Sequence, residues 1–510
     1  MADWSSGYVA DVDYIYGYYP ELNPLHIRLA FLNVGIAAPE VVTACELGFG
    51  QGVSINIHAA GSDARWWGCD FLPAHAAMAR DLGSSSGAGA ELSDEAFADF
   101  CRRDDLPGFD FIAVHGIWSW ISDENRAVIV DFLARKLNPG GVVYVGYNGM
   151  PGWAMSAPMR FLMAGHAEQL TAPGRGMGVR IDAALAFAER VLELSPAYAK
   201  ANPALAEWLK SVGKQNRHYL AHEYFNRDWR PMPFAEMAEH MGAARLSFAA
   251  SASYVEHVEG LNMTPAQSAF AKDIPDPTLR EGVKDFMVNR NFRRDYWVKG
   301  LRRLSSLEQL EGLRRQRLIL VTPRKDIGLK VKCLLGEATL QEDLYGGILD
   351  GLADHKPRTI GEIEQFEAMK PFGLPAIAQA VIVLSGKSDL ALVQDDDAAA
   401  RARPKTDRLN ARLLERSRGA GDIDVLASPV IGGAVALGRT QQLMLIARAQ
   451  GQKSPASWAS FAWKLLASQG QTVFKDGAPL DSEDKALAEL AAQAKALNEK
   501  LPILKALGVV

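Results

Sequence analysis

Between residues 41 and 147 the chain alternates short apolar, β-branched runs with segments whose apolar residues recur every three or four positions. Runs of that length predict strands buried on both faces, and the intervening period predicts amphipathic helices, so βα units around a mainly parallel sheet are expected. Strands are expected near 41–47, 65–70, 89–92, 110–115 and 141–147, with a helix over Pro24 to Gly35 ahead of them. Local signals mark the helix ends: Pro73 just inside one start, Asp94 as a cap for EAFADFCRR, and Ser122 with Asn125 opening ENRAVIVDFLARKL, which the turn NPGG closes.

From 151 to 240 the strand pattern disappears, and helices are expected near 155–170, 180–194, 203–220 and 234–241. Strand-like runs return at 245–250 and 316–322. The economical topology lets these late strands complete the sheet and leaves the helical block as an insertion over its carboxyl edge. After about 330 comes helix (QEDLYGGILDGLAD), helix (TIGEIEQF), helix (LPAIAQAVIVLSG) and strand (DLALVQ), an order that resembles a winged helix. The charged, alanine-rich DDDAAARARPK (395–405) reads as an exposed wing or linker before further helices. The expected units are 1–153, 154–328 and 329–510.

With 510 residues the chain exceeds a single core. A formal charge of -5 gives no global attraction to nucleic acid or anionic lipid. The basic block Arg290–Lys325 is interleaved with Glu308 and Glu311 and reads as a solvated helix face, while Glu362, Glu364 and Glu367 in the winged-helix-like part point to protein contacts, so nucleic acid is not an expected partner. Cys45, Cys69, Cys101 and Cys333 form no CxxC pair, which argues against structural zinc and a disulfide framework and favours a reducing compartment. Asp3, Asp11 and Asp13 replace the basic start of a secretory signal, and no apolar run approaches the ~18 residues of a membrane span. A cytoplasmic protein with no membrane insertion is expected.

The chemistry concentrates in ACELGFGQGVSI (44–55). A dinucleotide turn reads GxGxxG, and here the third glycine is replaced by Val53. Glu46, two places before Gly48, would repel a phosphate and welcome a cation. S-adenosylmethionine carries an ammonium and a sulfonium and no phosphate, so an acid beside Gly48, Gly50 and Gly52 suits it. Asp70, ending the second strand, can accept both ribose hydroxyls, and Asp94, after the third, can accept an adenine amino proton. Taken singly, either aspartate is more often a cap or loop residue; their joint spacing favours the ligand.

The arrangement ExGxGxG, strand-terminal Asp, DFIAVHG and KLNPGGVVYV resembles the class I S-adenosylmethionine-dependent methyltransferases over roughly residues 20 to 150. The stretches 218–248 and 281–300 look like the methyltransferase regulatory domain of bacterial enzymes. HGIWSWIS (115–122) and YNGMPGW (147–153) are shared with bacterial outer-membrane-protein lysine methyltransferases. The resemblance implies a Rossmann-like α/β sheet with a helical regulatory insertion and a C-terminal, mainly helical, winged-helix-like module. It implies S-adenosylmethionine as cofactor, held by Glu46, Gly48, Gly50, Gly52, Asp70, Phe71, Ser93, Asp94, His115 and Gly116.

Methyl transfer chiefly demands positioning, plus proton removal if the nucleophile starts protonated. Amide and nucleobase methyltransferases commonly place an Asn-Pro-Pro-Tyr-like turn after the fourth strand, where this chain has His115-Gly-Ile-Trp118. Lysine, with a reference pKa of about 10.4, needs aromatic walls and a few polar groups instead. Candidates are Tyr14, Tyr16, Tyr18 and Tyr19, then Trp118, Trp120, Tyr147, Asn148 and Trp153, then Tyr219, His222, Glu223 and Tyr224. Of these, Tyr18, Trp118, Tyr147 and Asn148 are expected as walls, with His222 or Tyr224 closing the pocket; aromatics at strand ends also commonly pack cores. The HE pair 222–223 without a second histidine does not make a metal site. The expected function is a protein lysine methyltransferase, with a small-molecule N- or O-methyltransferase and a non-catalytic cofactor-binding regulator as alternatives. Self-association into a homodimer is left open.

Overall fold

The computed structural model describes residues 8, 9, 12, 14–172, 174–475 and 477–510. Asp3, Asp11 and Asp13 lie outside the described residues. Five parallel strands form where the apolar runs predict them: β1 (Thr43–Leu47), β2 (Arg65–Cys69), β3 (Glu91–Ser93), β4 (Phe109–Val114) and β5 (Leu137–Asn148). Two more, β6 (Leu246–Ser251) and β7 (Phe292–Lys299), complete a seven-stranded sheet in the order β3-β2-β1-β4-β5-β7-β6. β7 runs antiparallel to both neighbours. The fold is thus an α/β sheet of class I methyltransferase order with a switch point between β1 and β4, where ligands of open parallel sheets bind.

The late strands differ from expectation. The run at 245–250 does enter the sheet, but 316–322 does not: Arg317–Leu320 pairs with Arg358–Thr359 and Leu390–Val393 in a separate three-stranded antiparallel sheet. The sheet is closed instead by β7, FRRDYWVK, whose charges hide it from a hydrophobicity pattern. Those charges cancel inside the protein: Arg293, 5% exposed, bonds Asp295 Oδ2 at 2.8 Å and Asp285 Oδ1 at 2.7 Å. Similarly, NPGG does not end in a turn. It lies within β5 as an irregularity, with Gly140 at φ +82° and Asn138 donating to Asp110 Oδ1 at 2.8 Å.

Ser122 accepts from the Asn125 amide and caps helix Asp123–Lys136 as its sequence suggests. Asp94 does not cap the next helix, Phe97–Phe100, which starts after Ala96; its carboxylate pairs with Arg80 at 2.9 Å. In the insertion, helices Ala157–Gln169, Met177–Glu193, Leu205–Gly213 and Arg217–Tyr224 pack around Met163, Ile181, Leu209 and Leu220. The single helix expected over 203–220 is therefore two.

DDDAAARARPK is neither wing nor linker. It opens helix Asp396–Ser417, which continues through Pro404 and lies on helices Val53–Gly61 and Pro73–Ser86 of the sheet layer. Leu409 and Leu413 bury against Val53, Ile57 and Leu82, and Arg401 and Arg412 reach Asp63 and Asp81 at 2.7 and 2.8 Å. The three helices and strand before helix Asp396–Ser417, with strand Arg317–Leu320, also share a core with helix Pro24–Asn33, through Leu29, Phe31, Leu318, Ile348 and Val381. Among the described residues, no helix is long and apolar enough to cross a membrane.

Candidate active site

β1 delivers Glu46 and Leu47 to the sheet edge, and the chain then turns through Gly48, Gly50 and Gly52 into helix Val53–Gly61. Glycine is required at 48 and 52 for two reasons. Both have left-handed φ, +75° and +74°, and a Cβ would fall 2.6 Å from Ile117 Cγ2 at the first and 2.3 Å from Ala79 Cβ at the second. Asp70, just past β2, fixes the turn: its Oδ2 accepts the Gly50 amide at 2.8 Å, and its Oδ1 accepts Leu72 N–H at 3.1 Å and lies 3.3 Å from His75 Nδ1.

Glu46 is 1% exposed, and among the described residues its Oε2 has no hydrogen-bond partner. Burial first, and Asp70 second, push its carboxyl up to about 8. An unpartnered buried carboxyl costs free energy that a cationic ligand group would recover, whereas a phosphate here would add repulsion. At the end of β3 the Ser93 hydroxyl is likewise buried without a partner. Phe71 stands edge-on to Tyr8 with ring centres 5.5 Å apart.

His115 follows β4, and burial holds it neutral by depressing it to about 4. Its Nδ1 shares a hydrogen bond with the Tyr144 hydroxyl at 3.0 Å, and its ring lies 3.6 Å from Tyr19. Gly116 after it has φ +64°. Tyr14, Ile15, Gly17 and Tyr19 form a strap over the glycine turn, leaving a cavity of about 20 Å³, room for about one water. Tyr18, Pro20 and Glu21 border a larger cavity of about 540 Å³, shared with His26, Arg294 and the C-terminal Lys500.

Residues 216–299, spanning Glu223, β6 and β7, match a family described as a predicted methyltransferase regulatory domain. An uncharacterized Synechocystis protein, sll1526, is 37% identical over 512 residues, covering 99% of each chain. An uncharacterized Rickettsia prowazekii protein, RP789, is 28% identical over 54% of this chain and 49% of its own. The structure of PKMT2 from Rickettsia typhi in complex with AdoHcy superposes with a TM-score of 0.69 at 18% identity, over 97% of this chain and 100% of that one. This chain belongs to the family of that Synechocystis protein, carries the methyltransferase regulatory domain over 216–299 and has the fold of the class I methyltransferases.

Several residues expected to wall the methyltransferase's acceptor pocket lie elsewhere. Tyr18 tilts over His58 and bonds the Ala434 backbone, docking the C-terminal module. Trp118 is fully buried, its Nε1 donating to Met232 Sδ at 3.3 Å. Tyr147 is also fully buried and donates to Asp295 Oδ2 at 3.0 Å. Tyr224 packs between Trp153 and Trp208. Asn148 uses its backbone to bond Ser119 and Met232, leaving its buried Nδ2 without a partner. His222 does reach the strap: its Nε2 is 2.9 Å from the Val12 carbonyl, and its ring meets Tyr14 and Tyr8.

The groups the methyltransferase does bring to the crevice, besides Glu46 and the glycines, are Tyr14 and Tyr19, with His115 beside them; the charge of Glu223 acts on both tyrosines from the regulatory domain. From 15 onward the extended segment alternates, so that 15, 17 and 19 face the turn while Tyr16 and Tyr18 face the C-terminal module, Tyr16 through Arg416 at 2.9 Å; Tyr14 lies before that alternation and also lines the turn, against the ring of His222. Among the described residues, no group of three or more His, Cys, Asp and Glu is placed to hold a metal ion.

Proposed function

We propose that this methyltransferase moves the methyl group of S-adenosylmethionine onto a lysine side chain of a protein substrate. The observation that carries the reading is the buried Glu46, whose Oε2 has no hydrogen-bond partner among the described residues, beside the turn that Asp70 fastens. The residues suited to hold the cofactor are Glu46 for its ammonium, the turn 48–52 for close backbone approach, Asp70 and Phe71 near ribose, and Ser93 with its unsatisfied hydroxyl. Bound there, it would supply a methyl carbon made electrophilic by a sulfonium. Asp94, held by Arg80, is a weaker choice for the adenine than Ser93.

A lysine acceptor is supported by the cation-favouring character of the crevice and by the likeness to the Rickettsia protein named PKMT2. All four cysteines are free thiols, in keeping with a reducing, cytoplasmic setting. Labelled S-adenosylmethionine incubated with host lysate tests the reading. Label in acid-precipitable protein, located on lysine by mass spectrometry, is expected. Label confined to the soluble fraction would mean a small-molecule acceptor, and calorimetric binding without turnover a regulator.

A further inference from the structure

A second acidic residue stands beside the strap of this crevice, and it comes from the regulatory domain. Glu223 lies in the last turn of helix Arg217–Tyr224, whose start is fixed by Asn216 accepting the amides of His218 and Tyr219. Its backbone carbonyl accepts Trp120 Nε1 at 3.3 Å, which ties the helix end to the segment after β4. His222, next to it, bonds the Val12 carbonyl. These contacts seat the half-buried Glu223 beside the strap, where the ring of His222 meets Tyr8 and Tyr14 at 5.4 and 5.1 Å and the charge of Glu223 holds Tyr8, Tyr14 and Tyr19 more firmly protonated. Among the described residues, no cation and no hydrogen-bond donor meets this carboxyl, and burial alone pushes it up to about 8.

Tyr19 lines the cavity with Glu46 and also feels the charge of Glu223. Two separate acidic groups thus act on one aromatic strap, and among the described residues neither has an ion-pair partner. S-adenosylmethionine brings one ammonium for one of them. The second is left for the other cationic participant, and an aromatic site with a single acid is the environment an alkylammonium favours.

We propose that Glu223 is the acceptor-binding group of this enzyme: it receives the substrate lysine's ammonium against the Tyr14 and Tyr19 rings and takes its proton. This role rests on the lysine reading above. The ammonium gives one proton to the Glu223 carboxylate and becomes a neutral amine. The amine lone pair then forms the N–CH3 bond as the methyl carbon's bond to sulfur breaks, the sulfur keeping the bonding electrons. The products are a methylammonium and a neutral thioether, and Glu223 releases its proton to water. A base with its proton affinity near working pH suits this exchange. Of the other groups facing Glu223, Tyr8, Tyr14, Tyr19, Tyr219 and Tyr224 are all raised by burial and stay protonated through pH 9; His222 adjoins it and Glu46 lies beyond Tyr19.

The test compares full-length wild type with Glu223→Gln and Glu223→Asp. AdoHcy binding by calorimetry reports fold and cofactor site, and is expected within about twofold of wild type. Binding of n-propylammonium to the AdoHcy-saturated protein reports the acceptor site without turnover, and should weaken at least about tenfold in Glu223→Gln and partly recover in Glu223→Asp. Methyl transfer into lysate protein should fall about 100-fold or more at pH 7.5, with the residual rate rising about tenfold per pH unit where wild type levels off above about 8. Undiminished transfer and propylammonium binding in Glu223→Gln would overturn the proposal, as would loss of AdoHcy binding in both variants. Wild type that labels no protein but binds propylammonium through Glu223 would instead overturn the lysine reading and leave the ammonium site standing.

Discussion

Asp70 Oδ2 accepts the backbone amide of Gly50 at 2.8 Å, so the acid at the end of the second strand shapes the turn at the end of the first. The same carboxylate holds the Leu72 amide. Replacing Asp70 with Ala frees both amides and relaxes the turn. The expected outcome is a loss of S-adenosylmethionine affinity of about tenfold or more, with an unfolding free energy lower by about 1–3 kcal/mol. Calorimetry and urea unfolding measure the two separately, and affinity at the wild-type level would refute the assignment.

Two glycines with nearly the same φ separate conformation from close packing. Gly52 and Gly89 stand at +74° and +75°, but a Cβ on Gly52 meets Ala79 whereas one on Gly89 meets nothing within 4 Å. Gly89→Ala should cost only the backbone strain, about 1–2 kcal/mol. Gly52→Ala adds overpacking of about 1–3 kcal/mol, because Ala79 sits on the next helix and its own backbone lies 2.9 Å away. Denaturant melts of the pair should show that order, and equal losses would mean the turn is not wedged against helix Pro73–Ser86.

The residues proposed for the cofactor stand out in the sequence because they sit at strand ends, where hydrophobic runs stop. Glu46, Gly48 and Asp70 needed only the strands to be placed correctly. The acceptor half depends on which way an extended segment faces, and that is set by a module hundreds of residues away: Tyr16 and Tyr18 turn toward Arg416 and Ala434, leaving Tyr19 for His115. β7 was missed because Arg293 and Asp295 look solvent-facing until their mutual neutralisation is seen. Helix Asp396–Ser417 was missed because Pro404 imitates a break, while the buried positions 402, 406, 409 and 413 keep helical spacing through it.

Glu46 should leave a pH signature. Folding raises its carboxyl from 4.5 to about 8, so the folded protein holds a proton that the unfolded chain has released between those values. Stability contributed this way is full below about pH 4.5, falls by up to about 1.4 kcal/mol per pH unit above it, and is gone above about pH 8. Glu46→Gln should remove that slope, leaving the similar one from Glu223, and should be more stable than wild type at pH 8. Binding a cation requires the ionised form, so S-adenosylmethionine should expel close to one proton at pH 7 in wild type and fewer in Glu46→Gln. Binding enthalpies in buffers of different ionisation heat count those protons. Equal release from both proteins would remove Glu46 from the cation site.

Tyr147 is the sharpest disagreement between expectation and structure, and kinetics can settle its role. Its hydroxyl donates to Asp295, which is also bound by Arg293, which in turn reaches Asp285 and Glu281. Burial outweighs Arg293 and pushes Asp295 up to about 6, so this network is held together under strain from desolvation, and each donor counts. Tyr147→Phe removes one donor without opening a cavity and should lower stability by about 1–2 kcal/mol. Arg293→Met removes the guanidinium shared by Asp285, Asp295 and Glu281, leaving Arg290 at 3.4 Å from Asp285 and Lys284 at 3.0 Å from Glu281, and should cost about 3–5 kcal/mol, chiefly through the buried Asp295. Neither side chain lines the crevice, so Tyr147→Phe should bind S-adenosylmethionine within about twofold of wild type and transfer methyl at a similar rate at temperatures well below its melting point. A large loss of turnover with unchanged stability would return Tyr147 to the acceptor pocket and require β5 and β7 to part there.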